Sequence, residues 1–342
     1  MKEKNVFFDK ETKVDLKKIS TDAPDSVKKK KEEILAKTEA NIKKISEYQE
    51  KLYADGKEGL IFVLQARDAA GKDSTIKHLM TGINPQGVMV YSFKTPSKEE
   101  AAHDFLWRFN KCLPERGKIA IFNRSYYEDV LVVRVKHLEN TYAIPARCVT
   151  GDYFEKRYKH INNYEEELFD NGYQIIKVFL NVSKDEQKKR FLERIDKPEK
   201  NWKFSFGDLD DRALWDEYTD CFEKMVEKTS TKDAPWYVIP ADCKWYARYL
   251  ISEIFVERLK EMNPKYPELP ESEKAKFPEV RKILGEVEKP AEKEDKTEDK
   301  KSAKKETGKA DKKAAEKSEI KENKKSDKKT AEKPVKKTAE KK

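Results

Sequence analysis

The sequence is poor in cysteine, and its four cysteines follow no recognisable pattern. No pair is spaced Cys-x-x-Cys, and none of the four histidines stands at a zinc-binding distance from one of them. These absences exclude a zinc finger and a disulfide-stapled scaffold. They favour reduced thiols in a reducing compartment.

Long apolar segments are also missing. No run approaches the roughly 20 residues that a transmembrane helix needs, and the first residues contain no hydrophobic stretch of a secretion signal. We therefore expect a cytoplasmic protein with no membrane partner.

Charge is abundant and unevenly distributed. Charged residues make up 41% of the 342 residues, and the formal net charge is +9. Residues 286–342 hold 21 Lys against 15 Asp and Glu, a difference of six, and no aromatic residue. Such a segment cannot bury enough apolar surface to offset the entropy of ordering, so we predict a disordered tail.

A lysine-rich tail attracts polyanions without sequence preference. One hypothesis is therefore a polyanion-binding protein that works through this tail. The interspersed acidic residues weaken the field, and they favour a solubilising tail with no specific nucleic-acid partner.

The rest of the chain alternates short apolar runs with helical patterns. Residues 1–55 form an N-terminal segment with a long amphipathic helix, which ends at Gly56. Residues 56–265 hold predicted strands at 60–64, 88–93, 118–122, 175–180 and 236–239, and residues 266–285 connect them to the tail. Such alternation predicts a three-layer α/β/α domain around a parallel sheet.

Residues 63–78, VLQARDAAGKDSTIKH, have the features of a phosphate-binding loop. A strand that turns into a helix presents backbone N–H groups to an anion; Gly71 permits close approach and Lys72 adds charge. Ala66 departs from the usual first glycine, and Asp73 from the usual Ser or Thr. The predicted phosphate- or nucleotide-binding residues are Ala66, Arg67, Ala69, Ala70, Gly71, Asp73, Ser74, Thr75 and Asn123.

Asp68 is the unusual residue of this loop. A carboxylate repels phosphate unless a metal ion such as Mg²⁺ lies between them. Asp68 therefore either faces solvent or belongs to a loop that holds a metal-bridged polyanion.

A second polar cluster follows the predicted strand at 118–122. Asn123 and Arg124 stand at its carboxyl end, where ligands bind in open α/β sheets. Arg124 suits bidentate phosphate contact. Glu128 or Asp129 could supply the carboxylate that usually ends this strand; an ion pair with Arg124 at a helix start is the alternative.

Residues 194–218 interleave cations with aromatic residues between two predicted helices. In P-loop kinases this is the position of the lid over the phosphates. With other cations, the lid predicts a groove for a long polyanion, although each cation alone suits a solvated surface equally. The predicted groove residues are Lys77, Arg134, Arg190, Arg194, Lys197, Lys200 and Lys203.

Four segments, in order, resemble the polyphosphate kinase 2 family: LQARDAAGKDSTIKHLMTGINPQGV, FNRSYYEDVLVVRV, RIDKPEKNWKFS and APWYVIPADCKWYAR. The second resembles the F-N-R-S-x-Y-E-D-V branch, which phosphorylates AMP and ADP. The resemblance runs from about residue 10 to 265. The family's loop reads G-x-D-x-x-G-K, so Asp68, Gly71 and Lys72 match it and Ala66 departs.

The resemblance implies reversible phosphoryl transfer between inorganic polyphosphate and ADP or AMP, with Mg²⁺ or Mn²⁺ as the metal ion. It implies a thymidylate kinase-like P-loop fold with a helical lid, usually in a homo-oligomer. Asp68 would bind the metal, Lys72 would clamp phosphates, and Arg124 would contact the transferred phosphoryl group. Because this chain has Asn123 where other branches have Asp, the second metal-binding carboxylate is inferred to be Glu128.

An ATP-dependent nucleoside monophosphate kinase of the thymidylate kinase type is the competing hypothesis. It would share the fold, the loop and the lid. Asp68 within the loop and the missing hydroxyl at Asp73 argue against it. Nucleotide phosphorylation by polyphosphate without ATP would distinguish the two.

Overall fold

The computed structural model describes residues 6–285. A single sheet contains β1 (Phe7–Phe8), β2 (Gly59–Ala66), β3 (Val88–Ser92), β4 (Ile119–Asn123), β5 (Tyr173–Asn181) and β6 (Trp236–Pro240). The helices are α1 (Asp25–Lys28), α2 (Lys31–Asp55), α3 (Lys72–Leu79), α4 (Lys98–Ala101), α5 (Trp107–Asn110), α6 (Val132–Val135), α7 (Tyr153–Asp170), α8 (Lys184–Asp196), α9 (Pro198–Asn201), α10 (Gly207–Ala213), α11 (Trp215–Thr229), α12 (Lys244–Met262), α13 (Glu271–Lys274) and α14 (Phe277–Ile283). Short 3₁₀ turns lie at Leu16–Lys18, Pro85–Gly87, Tyr126–Val130, Leu138–Thr141 and Ala146–Cys148.

The strand order is β1-β6-β5-β2-β4-β3, and β2 to β6 run parallel. Each predicted strand coincides with an observed one to within two residues, so the predicted α/β class with a parallel sheet is confirmed. The antiparallel edge strand β1 was not predicted, since two residues in a polar segment produce no readable pattern. Its pairing with β6 includes a hydrogen bond from the Val238 amide to the Val6 carbonyl, at 2.8 Å.

The sheet is covered on both faces. Alternate residues of a strand point to opposite sides, so Leu60, Phe62 and Leu64 of β2 pack with α2, α3 and α12. Ile61 and Val63 pack on the other face with α5, α7 and α11. The two hydrophobic cores confirm the three-layer arrangement and hold the central strand β2 rigidly.

Two helical regions differ from the predicted elements. The long N-terminal helix is interrupted after α1, and α2 ends where Gly56 takes a positive φ of 62°. The helical pattern of residues 97–110 is divided into α4 and α5. Between them the Asp104 carboxylate accepts a hydrogen bond from the Leu106 amide at 2.8 Å, and this local bond competes with the helix.

The N-terminal region belongs to the same compact unit as the sheet, and that unit extends to Lys274. Helix α2 packs along α12, where the Asn41 amide donates to Ser252 Oγ at 3.1 Å. A second unit begins at Ala275 and includes α14. The predicted tail, 286–342, lies outside the described residues. None of the helices within residues 6–285 is long and apolar enough to cross a membrane.

A buried ion pair supports the turn that follows β4. Lys177 of β5 is fully buried, and its Nζ lies 2.6 Å from Glu165 Oε2 of α7. The hydroxyls of Tyr126 and Tyr127 both donate to Glu165 Oε1, each at 2.7 Å. The two tyrosines begin the turn, so the ion pair fixes the backbone immediately after Arg124.

We expect Lys177→Met to lower the free energy of unfolding by about 3–5 kcal/mol, because it leaves the Glu165 carboxylate buried without a counter-ion. Urea denaturation followed by circular dichroism measures this loss. The double variant Glu165→Leu/Lys177→Met should recover much of it. If Lys177→Met is as stable as the wild type, the Glu165–Lys177 ion pair does not hold the turn.

Candidate active site

The pairing of β2 with β4 determines where the two predicted clusters meet. Leu64 of β2 lies beside Asn123 of β4, so the loop after β2 and the turn after β4 leave the sheet side by side. The Arg124 amide donates to the Leu64 carbonyl at 3.1 Å, which extends the ladder by one residue. This is the carboxyl edge of the parallel strands, where open α/β proteins bind ligands.

The loop after β2 has the backbone of a phosphate-binding turn. Gly71 has φ 110°, a value that favours glycine, and Ala69 takes a positive φ of 59°. Helix α3 begins directly afterwards at Lys72, and the first N–H groups of a helix have no partner within it. Ala66 is the last residue of β2, and extended backbone there needs no glycine.

Lys72 lies folded inside this loop. Its Nζ donates to the Ala66 carbonyl at 3.0 Å and contacts the Arg67 carbonyl at 3.4 Å. Burial, with the nearby Arg124 cation, lowers the pKa of Lys72 to about 8. The ammonium is thus poorly solvated, and an anion in the loop would stabilise its charged form.

Arg124 lies between two carboxylates. Its Nη2 is 2.6 Å from Asp68 Oδ1, and its Nη1 is 3.3 Å from Glu128 Oε2. Glu128 and Asp68 together raise the pKa of Arg124 above its usual value. The helix-start ion pair considered from the sequence is therefore present, and Asp68 joins it instead of facing open solvent.

The structure distinguishes Glu128 from Asp129. Asp129 is buried, accepts from the Tyr142 hydroxyl at 2.9 Å and pairs with Arg157 Nε at 2.8 Å. Burial raises the pKa of Asp129 despite this ion pair. Glu128 instead lines the same pocket as Asp68.

Asp73 and Asn123 are in direct contact. The Asn123 amide donates to Asp73 Oδ1 at 3.0 Å, so the acid stands on α3 and the amide at the end of β4. Burial opposes ionisation of Asp73, but the Asn123 amide and Lys203 outweigh it and lower the pKa of this carboxyl. The acid that replaces the usual Ser or Thr at position 73 and the amide that replaces the usual Asp at the end of β4 are therefore hydrogen-bonded to each other.

The lid segment contains α9, α10 and the beginning of α11. One lid cation reaches the loop: Lys203 Nζ lies 3.4 Å from Asp73 Oδ2. Three further ion pairs lie within the lid and α8: Arg194–Asp208 at 2.7 Å, Lys197–Glu193 at 2.6 Å and Lys200–Glu193 at 2.7 Å. A fourth joins Asp211 of the lid to Lys136, which follows α6, at 2.6 Å. Trp202 is 77% exposed and does not pack inside the lid.

Several predicted residues lie away from the phosphate side of the loop. Arg67 is buried, with its guanidinium 4.0 Å from the Trp215 ring centre, and burial lowers its pKa to about 10. Arg134 turns towards α7, where it donates to the Tyr158 hydroxyl at 3.0 Å. Arg190 is buried behind the loop, which differs from the groove position predicted for it.

Three helix α3 residues complete the set of predicted positions. Ser74 Oγ bonds to the Gly71 carbonyl at 2.9 Å, and Thr75 is buried. Lys77 is exposed on the outer side of α3. None of the three shows a contact with Arg124 among the described residues.

Sequence reasoning missed part of the pocket. Besides the loop and Arg124, it is lined by Gln187, Asp211 and Tyr218. The Tyr218 hydroxyl donates to Asp211 Oδ1 at 3.1 Å across the break between α10 and α11. The two residues are seven positions apart, and their contact depends on the break between α10 and α11, which the sequence analysis did not predict.

A strand–loop–helix phosphate site, two converging carboxylates and a cation-rich lid define a P-loop phosphotransferase, a class in which a divalent metal ion typically assists. Residues 27–267 match the polyphosphate kinase 2 family, and the chain belongs to that family. It is thus an enzyme of the polyphosphate kinase type, as the sequence motifs predicted.

Individual relatives agree with this assignment. The chain is 47% identical over 245 residues to the ADP-polyphosphate phosphotransferase of Rhodopseudomonas palustris, covering 71% of this chain and 85% of the relative. It is 49% identical over 226 residues to the AMP/ADP-polyphosphate phosphotransferase of Meiothermus ruber, covering 66% and 81%. The crystal structure of polyphosphate kinase 2 from Arthrobacter aurescens TC1 matches with a TM-score of 0.65 and 41% identity, covering 71% of this chain and 84% of that one.

The position of Lys72 predicts a pH dependence. Its pKa of about 8 means that the ammonium, which we expect to bind phosphate, is present below that pH and is lost above it. We expect kcat/KM, which reports the free enzyme, to fall roughly tenfold per pH unit above pH 8. A rate profile from about pH 6.5 to 9.5 measures it; a flat profile would contradict the assignment, and Lys72→Arg should remove the alkaline decline.

Proposed function

We propose that this enzyme transfers phosphoryl groups reversibly between inorganic polyphosphate and ADP or AMP with Mg²⁺. The observation that carries the proposal is Arg124 between Asp68 and Glu128, beside the phosphate loop. An acid at this position repels phosphate in an ordinary nucleotide-binding loop, whereas it can bind the metal ion in a loop that holds metal-bridged phosphates. The names of the two relatives, one acting on ADP and one on AMP and ADP, support the choice of acceptors.

Asp68 and Glu128 suit a magnesium ion. Both are carboxylates, both line the same pocket, and one guanidinium contacts both of them. Mg²⁺ in kinases is usually held by one or two carboxylates together with substrate phosphates and water. A bound Mg²⁺ would neutralise charge on the phosphate oxygens during transfer.

The protein's own cations can position the reacting groups. Lys72 and the first N–H groups of α3 would bind the phosphates next to the bond that breaks. Arg124 uses two of its five donors on carboxylates, and other donors of the guanidinium can reach the phosphoryl group that moves. One P–O bond of polyphosphate breaks while one forms to the acceptor phosphate, so no strong general base is required.

The lid would hold the polyphosphate chain. Lys203 lies beside Asp73 at the start of α3. Lys197 and Lys200 both contact the carboxylate of Glu193 on α8. These ion pairs are partly exposed and therefore weak, so a polyanion of much higher charge density can displace Glu193 from the two lysines.

The first test is nucleotide phosphorylation with polyphosphate as the sole donor. We expect purified protein, Mg²⁺ and long-chain polyphosphate to convert ADP to ATP and AMP to ADP, as measured by chromatography of the nucleotides. Product that forms only when ATP is supplied would instead establish a nucleoside monophosphate kinase. Product from ADP but not from AMP would restrict the acceptor to diphosphates.

The two neighbouring acids should respond differently to loss of charge. We expect Glu128→Gln to raise the Mg²⁺ concentration for half-maximal activity about 10- to 100-fold, because a carboxylate ligand is lost. Asp129→Asn, the matched control, should leave that concentration within about twofold and should instead lower thermal stability, since Arg157 loses its buried partner. The reverse pattern would assign the metal to Asp129.

A further inference from the structure

Arg190 of α8 lies directly behind the phosphate loop and is 5% exposed. Its Nη1 donates to the carbonyls of Ala69 at 3.1 Å and Ala70 at 2.6 Å. Its Nη2 donates to the carbonyls of Ala241 at 2.7 Å and Asp242 at 3.0 Å. The guanidinium therefore joins the loop to the segment that follows β6.

Gln187 stands one turn earlier on the same helix face and is 3% exposed. Its Nε2 donates to the Asp68 carbonyl at 3.0 Å. Two side chains of α8 thus hold the carbonyls of three consecutive residues, Asp68, Ala69 and Ala70. This is most of the loop between β2 and Gly71.

The direction of these carbonyls determines the direction of the loop N–H groups. In a planar trans peptide the C=O and the following N–H point in opposite directions. Carbonyls drawn towards α8 therefore turn the N–H groups of residues 69, 70 and 71 away from α8, and of these the Ala70 N–H donates to the Arg67 carbonyl at 3.3 Å. In a phosphate-binding loop those N–H groups contact the anion.

We propose that Gln187 and Arg190 are positioning residues for phosphoryl transfer, which orient the loop N–H groups by holding the carbonyls of residues 68–70. This rests on the proposed function of the loop. It replaces the direct polyphosphate contact expected of Arg190 from the sequence. Lysine cannot replace this arginine fully, because a single ammonium does not span two backbone segments.

Both side chains are themselves fixed, as positioning requires. Arg190 Nε donates to Glu186 Oε1 at 2.9 Å, so each of its three nitrogens has a protein acceptor. Gln187 Oε1 accepts from Arg212 Nη1 of the lid at 2.8 Å. The Gln187 side chain therefore bridges the lid and the loop: its oxygen accepts from Arg212, and its nitrogen donates to the Asp68 carbonyl.

The test compares Gln187→Met and Arg190→Lys with Lys189→Met, a matched control on the same helix whose side chain is 80% exposed. We expect kcat to fall about 10- to 100-fold in the first two variants, since a small displacement of a positioning group costs that much. The control should stay within about twofold. Each kcat is measured below the unfolding temperature of that variant, so a loss of folded protein is not counted as a loss of rate.

Polyphosphate binding separates positioning from direct contact. Arg190→Met should leave the slope of log Kd against log salt concentration unchanged, whereas loss of a groove cation would reduce it by about one. If Arg190→Met does not fold, Gln187→Met still decides, because it keeps the charge while it removes both the donor to the Asp68 carbonyl and the acceptor of the Arg212 hydrogen bond. A wild-type kcat in Gln187→Met, or a reduced slope in Arg190→Met, would overturn the proposal. Failure of the wild type itself with polyphosphate would instead refute the proposed function.

Discussion

The site depends on the two ion pairs that Arg124 makes with Asp68 and Glu128. The three residues come from two chain segments that are far apart in sequence and are brought together by the parallel pairing of β2 with β4. Arg124 itself takes a positive φ of 65°, a backbone conformation that costs of order 1–3 kcal/mol outside glycine. Such strain persists only where the surrounding structure fixes it, and here two ion pairs hold the side chain.

The support for this arrangement comes from behind the two segments. The turn after β4 is held by the buried Glu165–Lys177 pair through two tyrosine hydroxyls. The loop after β2 is held by Gln187 and Arg190 of α8 through its carbonyls. In each case a buried, hydrogen-bonded side chain supports a segment from one side, and under the proposed function phosphate would bind on the other side of the loop.

The sequence was sufficient for the parallel sheet, because apolar runs are local signals, and the strand–glycine–lysine–helix pattern is the local signal that predicted the phosphate loop. It also placed Asp68, Lys72, Arg124 and Glu128 together through family motifs. It could not separate Glu128 from Asp129, since adjacent acids differ only in which way the turn directs them. It predicted Arg190 to line the polyphosphate groove, because nothing in the sequence separates an arginine that binds buried backbone carbonyls from one that lies at the surface. The contact of Tyr218 with Asp211 depends on the break between α10 and α11, which the sequence analysis did not predict.

The most direct test of this account is the turnover number of Arg124→Lys at saturating ADP, polyphosphate and Mg²⁺. Lysine keeps the charge but cannot contact Asp68, Glu128 and a phosphoryl oxygen together, so we expect kcat to fall at least about 100-fold. The thermal unfolding midpoint should stay close to that of the wild type, because the side chain is partly exposed. A kcat within about threefold of the wild type would contradict a site organised around this guanidinium.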